Sequence, residues 1–159
     1  MIRQVLRDDW ERLRDVRLRA LAQDPEAFLE THARASSFPD ELWQERATPT
    51  TDRSSFVVER AGKFDGLVSC FVADHPGTVF LVAMWVAPEL RGTGSARGLV
   101  ERVIDWAREQ GASLVSLSVE PHNDRAVRLY ENCGFVETRD PPPFPYEPNA
   151  DNRFFVYEL

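Results

Sequence analysis

Arg91-Gly92-Thr93-Gly94-Ser95-Ala96 joins nine unbroken apolar residues, Val79 to Ala87, to an amphipathic stretch that begins at Arg97. The residue types of this corner suit an anion. Small side chains let the backbone come close to a ligand, and the first N–H groups of a helix have no internal acceptor, so they point at whatever negative group sits there. Arg91 adds a cation. The corner predicts a phosphorylated ligand, although a tight turn before a helix would use the same residues.

Two familiar phosphate motifs fail against the letters. A Walker A loop ends in Gly-Lys-Ser/Thr, and the corner carries no such lysine. A dinucleotide fingerprint needs GxGxxG after the first strand of a βαβ unit, whereas Gly92, Gly94 and Gly98 are spaced GxGxxxG and follow a run of strands.

The elements around the corner follow from periodicity. Met1 to Leu6 reads as an edge strand. From Asp8, Trp10, Leu13, Val16 and Ala20 recur at helical spacing until Pro25. A second helical stretch from Glu26 carries Phe28 and Leu29, breaks near Ser37-Phe38-Pro39 and resumes through Leu42, Trp43 and Ala47, with Pro39 in its first turn. Strand signals then occupy Phe56 to Arg60, Leu67 to Ala73 and Val79 to Ala87, separated by turns at Ala61 to Gly66 and Asp74 to Gly77, which makes an antiparallel meander. The third strand lacks any polar residue and is expected to be buried on both faces.

Leu99, Val100, Val103, Ile104 and Ala107 mark one face of a helix that stops at Gly111. Val115, Leu117 and Val119 alternate with Ser116, Ser118 and Glu120 as a strand. Strand, helix, strand implies a right-handed crossover and a parallel pair inside a mixed sheet, with the corner at the carboxyl end of the first strand. Asn123 can cap a last helix from Asp124 to Cys133, ended by Gly134. Phe135 to Thr138 and Phe154 to Leu159 are closing strands joined by a proline-rich loop, Arg139 to Asn149. The fold class is α/β with a mixed sheet, an antiparallel meander joined to a central parallel pair and helices on both faces, in one domain over residues 1–159.

Two segments together resemble the GCN5-related N-acetyltransferases. The family's Gln/Arg-x-x-Gly-x-Gly/Ala signature is met by Arg91, Gly94 and Ala96. Its second skeleton of Asn, Ala, Leu-Tyr and Gly-Phe is met in register by Asn123, Ala126, Leu129-Tyr130 and Gly134-Phe135. The order of elements is similar to the family's fold over essentially the whole chain. The resemblance implies acetyl-coenzyme A as cosubstrate, transfer of an acetyl or small acyl group to a primary amine, and no metal.

The resemblance also implies roles. The backbone of Trp85 and Val86 would bond the pantetheine arm. The N–H groups of Arg91, Gly92, Thr93, Gly94, Ser95 and Ala96 would cradle the pyrophosphate, and Asn123 would reach the cofactor arm as well as capping its helix. Tyr130 would protonate the departing thiolate, as a phenol of pKa about 10 is able to do at neutral pH. The general base is less well marked. Ser118 stands where members that acetylate ribosomal-protein N-termini carry a Glu, and Glu120, two residues on, shares its side if the strand continues that far; Glu120 or His122, directly or through a water, is the base candidate.

Composition excludes several alternatives. Nineteen basic and 26 acidic side chains give a formal charge of −7, which argues against a nucleic-acid surface. The apolar runs are too short for a membrane span and the first ten residues hold no signal-peptide core, so a cytoplasmic protein is expected. Cys70 and Cys133 have no metal-ligand spacing and no evident covalent role. The expected partner is an amine acceptor, a small molecule in the first reading, with a homodimer left open. Competing readings are a protein N-terminal or lysine acetyltransferase and a non-catalytic acyl-coenzyme A binding module. Phe144 and Tyr146 in the proline-rich loop either face an acceptor or merely stiffen a connection.

Overall fold

The strand, helix, strand unit around the glycine corner forms the centre of the sheet. The computed structural model describes residues 1–73 and 77–159; the expected turn at Asp74 to Gly77, His75 included, falls mostly outside them. The strands are β1 (Ile2–Gln4), β2 (Arg53–Arg60), β3 (Lys63–Val72), β4 (Thr78–Val86), β5 (Leu114–Val119), β6 (Val136–Thr138) and β7 (Arg153–Glu158). Among the described residues they make one seven-stranded sheet in the order β1-β2-β3-β4-β5-β7-β6. Among the described residues only β4 and β5 pair in parallel. The second closing strand slots between β5 and β6, pairing with β5 from Leu114–Glu158 to Val119–Arg153.

Helices α1 (Trp10–Gln23), α2 (His32–Ser36) and α3 (Asp40–Ala47) cover one face, and α4 (Ser95–Glu109) and α5 (Asp124–Asn132) the other. Alternation along the strands divides the core between them. Val79, Leu81, Val115 and Leu117 bury against Leu99, Val103 and Val127, while Val57, Leu67 and Trp85 bury against Leu13, Val16 and Ala20. The helix α4 ends as its glycine predicts: Gly111 takes a φ of 73° and the Ala112 N–H returns to the Ala107 carbonyl at 3.0 Å.

Three expectations need correction. The turn after β2 is only Ala61-Gly62, with φ of 52° and 77°, so Lys63 to Gly66 already belong to β3. Two successive left-handed residues match the twist of a tight hairpin, and Asp65, which reads as a loop residue, is buried between Arg19 and Arg60 at 3.3 and 3.1 Å. Phe28 and Leu29 are not helical. Pro25 starts a single 3-10 turn, and α2 begins only after Thr31, whose Oγ1 accepts the Arg34 N–H at 3.2 Å. Pro39 precedes α3 as its N-cap residue, in extended backbone, rather than entering the first turn.

The expected burial of β4 holds for only half its length. Thr78 to Leu81 are buried, but Val82 to Met84 are partly open. The cause is a bulge: Leu67 and Ser69 on β3 face Trp85 and Val82, one residue more on β4, and Ala83 takes a φ of 57°. On its other side β4 is paired with β5 only from Thr78–Leu114 to Phe80–Ser116. Beyond Phe80 the two strands part, and the sheet is split at its centre.

A charge cluster pins the far edge of the sheet to α1. Arg3 donates to Asp9 at 2.8 and 3.0 Å and to Glu59 at 2.6 Å, and Arg12 bridges the same two carboxylates. The hydrogen-bonded Arg3 guanidinium holds the buried Asp9 carboxyl down to about 2, from an ordinary 3.8. A depressed folded-state pKa stabilises above the unfolded value, and that contribution disappears as pH falls from about 4 through about 2. Asp9→Asn is therefore expected to lose about 2 kcal/mol at pH 7 relative to wild type, with the gap closing near pH 2. Urea denaturation at both pH values checks it, and a pH-independent gap would contradict it.

Candidate active site

The corner between β4 and α4 is shaped by two left-handed glycines, Gly92 (φ 81°) and Gly94 (φ 88°), the latter being the N-cap residue of α4. Several backbone donors here are engaged internally. Arg91 N–H bonds the Pro88 carbonyl at 3.2 Å, and Thr93 N–H bonds the Leu90 carbonyl at 3.2 Å. Ser95 N–H leans on Thr93 Oγ1 at 3.4 Å. The N–H groups of Gly92, Gly94, Ala96 and Arg97 find no acceptor among the described residues. A Cβ built on Gly92 or Gly94 meets no protein atom within 4 Å, so the corner is not crowded at either glycine. Arg97 N–H was not foreseen from the sequence; the signal was the helix start, placed there at Arg97 and observed at Ser95, which makes Arg97 a first-turn donor.

Arg91 does not reach into that space. Its guanidinium pairs with Asp24 Oδ2 at 3.1 Å, and the Trp85 indole N–H donates to the same oxygen at 2.8 Å. Asp24, the residue closing α1, thus ties the helix to β4 and to the corner. Nothing in its sequence context announces it.

Trp85 and Val86 pair with Leu67 and Gly66 of β3 and face the split on their other side. The carboxyl ends of β4 and β5 therefore flank a gap that runs toward the open N–H groups. Tyr130 on α5 is 5% exposed, its ring edge-on to Phe135 at 5.7 Å. Burial raises its phenol further above the ordinary value, so it stays protonated well into the alkaline range. Asn123 caps α5, its Oδ1 accepting the Ala126 N–H at 3.1 Å. β5, whose Ser116 and Ser118 share one side, stops at Val119, so the expected continuation that would put Glu120 on that side is not made; Glu120 is half-buried and His122 exposed.

That side of β5 is covered by the proline-rich loop. Phe144 packs on Phe80 at 4.9 Å and on Phe154 at 5.4 Å, and the half-buried Tyr146 ring stands edge-on to Phe144 at 5.4 Å. The loop is packed against the sheet beside the split rather than standing away as a connector. Neither cysteine is primed for attack: burial pushes the Cys70 thiol up to about 12, and Cys133 is raised from the same cause.

A cavity of about 420 Å³ lies on the same face, between α1, α3 and strands β2 to β4. It is bounded by Arg17, Trp43 and Arg46 on the helices and by Glu30 in the segment before α2, and reaches β4 at Val82 and Ala83, the bulge. Phe71 in its wall stacks on Phe80 at 5.6 Å, so an aromatic ledge runs from the cavity to Phe144.

A mixed sheet split beside a bulged strand, with free backbone donors at the end of the gap, defines a class of α/β proteins built around a long phosphorylated arm. Residues 10–135 match the acetyltransferase (GNAT) family, and the chain belongs to it. A mycothiol acetyltransferase from Thermobispora bispora is 37% identical, across 76% of this chain and 46% of that protein. The chain spans about half the length of the first curated relatives it matches. The GNAT domain of S. lividans PAT superposes with a TM-score of 0.80 at 18% identity, covering 99% of this chain and 89% of that one. The PaiA N-acetyltransferase of Thermoplasma acidophilum, solved in complex with coenzyme A, gives a TM-score of 0.74 at 13% identity over 100% and 98% of the two chains. The fold expected from the order of elements is thus the one observed.

Among the described residues no helix is long and apolar enough to cross a membrane.

Proposed function

We propose that residues 1–159 act as one cytoplasmic acetyltransferase domain, moving an acetyl or small acyl group from acetyl-coenzyme A to the primary amine of a small molecule. The observation that carries this reading is the split: an unpaired edge at Trp85 and Val86 leads directly to the open N–H groups of Gly92, Gly94, Ala96 and Arg97. An extended amide-bearing arm completes such an edge as an added strand, and a pyrophosphate suits the donors at a helix start. Thr93 and Ser95 add hydroxyls beside them, and Asn123 keeps its amide N–H₂ for the arm.

The chemistry is direct attack. The neutral amine adds to the thioester carbonyl, the C–S bond breaks, and Tyr130 donates its proton to sulfur so that the leaving group departs as thiol. Glu120, directly or through a water, takes the proton the amine nitrogen gives up. The excess proton returns to the phenolate through solvent. No acyl-enzyme forms, in keeping with two thiols held neutral by burial.

A cavity of about 420 Å³ beside the bulge is of a size that suits a small acceptor. Titration with acetyl-coenzyme A by calorimetry, followed by thiol release over a panel of amines, tests the reading. Binding with turnover of small amines is expected. Binding without turnover on any amine would leave a cofactor-binding module, turnover on peptide N-termini or lysines alone would move the substrate to proteins, and absent binding would overturn the whole reading.

A further inference from the structure

The cavity beside the bulge has an unbalanced lining. Arg17 reaches Glu30 through Nε at 3.4 Å, while Arg46 takes both oxygens of the same carboxylate at 3.3 Å each. One carboxylate thus serves two guanidinium groups. Arg17 Nη1 is buried and has no acceptor in the protein, and so is Nε1 of Trp43, whose side chain is 1% exposed. Both residues line the cavity. Phe28 stacks on the Arg17 guanidinium at 4.7 Å, and Phe38 on that of Arg46 at 4.7 Å, which fixes both cations in place.

Unanswered buried donors are rare in native proteins, because each has given up its water without a replacement. Two of them in one cavity, one on a fixed cation, mark a place for an anionic acceptor oxygen. The surplus of positive charge is local, since the whole chain carries −7. A polycationic amine is repelled by such a lining, and a neutral amine leaves both donors unanswered.

We propose that the acceptor carries a carboxylate as well as its amine, as a free amino acid or short peptide does, and that Arg17 with the Trp43 indole N–H anchors that carboxylate in the cavity. The cavity reaches β4 at Val82 and Ala83, so a carboxylate held at the Arg17 end leaves the amine directed along the Phe71 and Phe80 ledge toward the split. Arg17 and Trp43 are then specificity-determining residues. The inference rests on the acetyltransferase reading for the word acceptor, but the binding it requires is independent of turnover.

The test measures binding of free amino acids, dipeptides, their carboxamides and putrescine by calorimetry to the coenzyme A-loaded protein, with thiol release from acetyl-coenzyme A followed in parallel. Carboxylate-bearing amines are expected to bind at least about 10-fold tighter than the matched amides. Arg17→Gln should abolish that preference and Trp43→Phe, which keeps the ring, should weaken it. Arg17→Lys should restore part of it, and thermal melts confirm that each variant folds. For a turned-over substrate, Arg17→Gln should raise KM about 10- to 100-fold with kcat little changed. Equal binding of amides or putrescine, or no binding by any carboxylate amine, overturns the proposal. Selective carboxylate binding without thiol release keeps it and overturns the acetyltransferase reading instead. Preference for dipeptides over free amino acids, or the reverse, identifies which source of the carboxylate is used.

Discussion

Tyr130→Phe lowers kcat at least about 100-fold while the dissociation constant for coenzyme A stays within about twofold, if the phenol supplies the leaving-group proton. The substitution removes a single oxygen and leaves the ring on Phe135, so folding stability is expected to shift by less than about 1 kcal/mol. Loss of turnover with intact binding and stability isolates proton donation from packing. Because burial raises the Tyr130 phenol above its ordinary pKa of 10, the wild-type kcat should show no alkaline decline below pH about 10 from this group. Single-turnover kinetics from pH 6 to about 9.5 check both points, and unchanged turnover in the variant removes Tyr130 from the mechanism.

Gly94→Val is expected to weaken coenzyme A binding about 100-fold or more. Part of the effect is backbone strain, since a φ of 88° suits glycine and costs a branched residue about 1–2 kcal/mol. The larger part is position: Gly94 is the N-cap residue of α4, between the unpaired N–H groups of Gly92 and Ala96, so a shift of its backbone moves the donors themselves. Gly111 at the other end of α4 is the matched control. It has a φ of 73° and equally open surroundings, so Gly111→Val suffers similar strain away from the corner. The two variants should melt at similar temperatures and differ only in calorimetric affinity. Equal affinities would show that the corner does not hold the cofactor.

Elements whose pattern is local were readable from the sequence. The apolar stripe of α4, the alternation of β5, the cap at Asn123 and the glycines that end two helices each declare themselves within one or two turns of chain. The family was readable because the corner and the stretch from Asn123 to Phe135 match a known pair of motifs in residue type and in distance along the chain. What stayed hidden depends on partners far away. Asp65 is a strand residue only because Arg19 and Arg60 neutralise it, and Asp24 matters only because folding brings Trp85 and Arg91 to one oxygen. The bulge at Ala83 has no letter of its own, since alanine gives no sign of a left-handed backbone. The cavity needs α1, α3 and three strands at once, and no window of sequence contains all of them.

The split after Phe80 also bears on how the molecule keeps to itself. An unpaired strand edge normally lies at the rim of a sheet, where any other extended chain is able to add to it, and proteins guard such rims with charges or prolines. Here the free edge of β4 is interior, with β5 on the opposite bank and the 139–149 loop packed alongside. A flat foreign strand with its own sheet behind it does not fit between those banks; a single slender arm does. The molecule therefore leaves its most adhesive edge unguarded by chemistry and protects it by width.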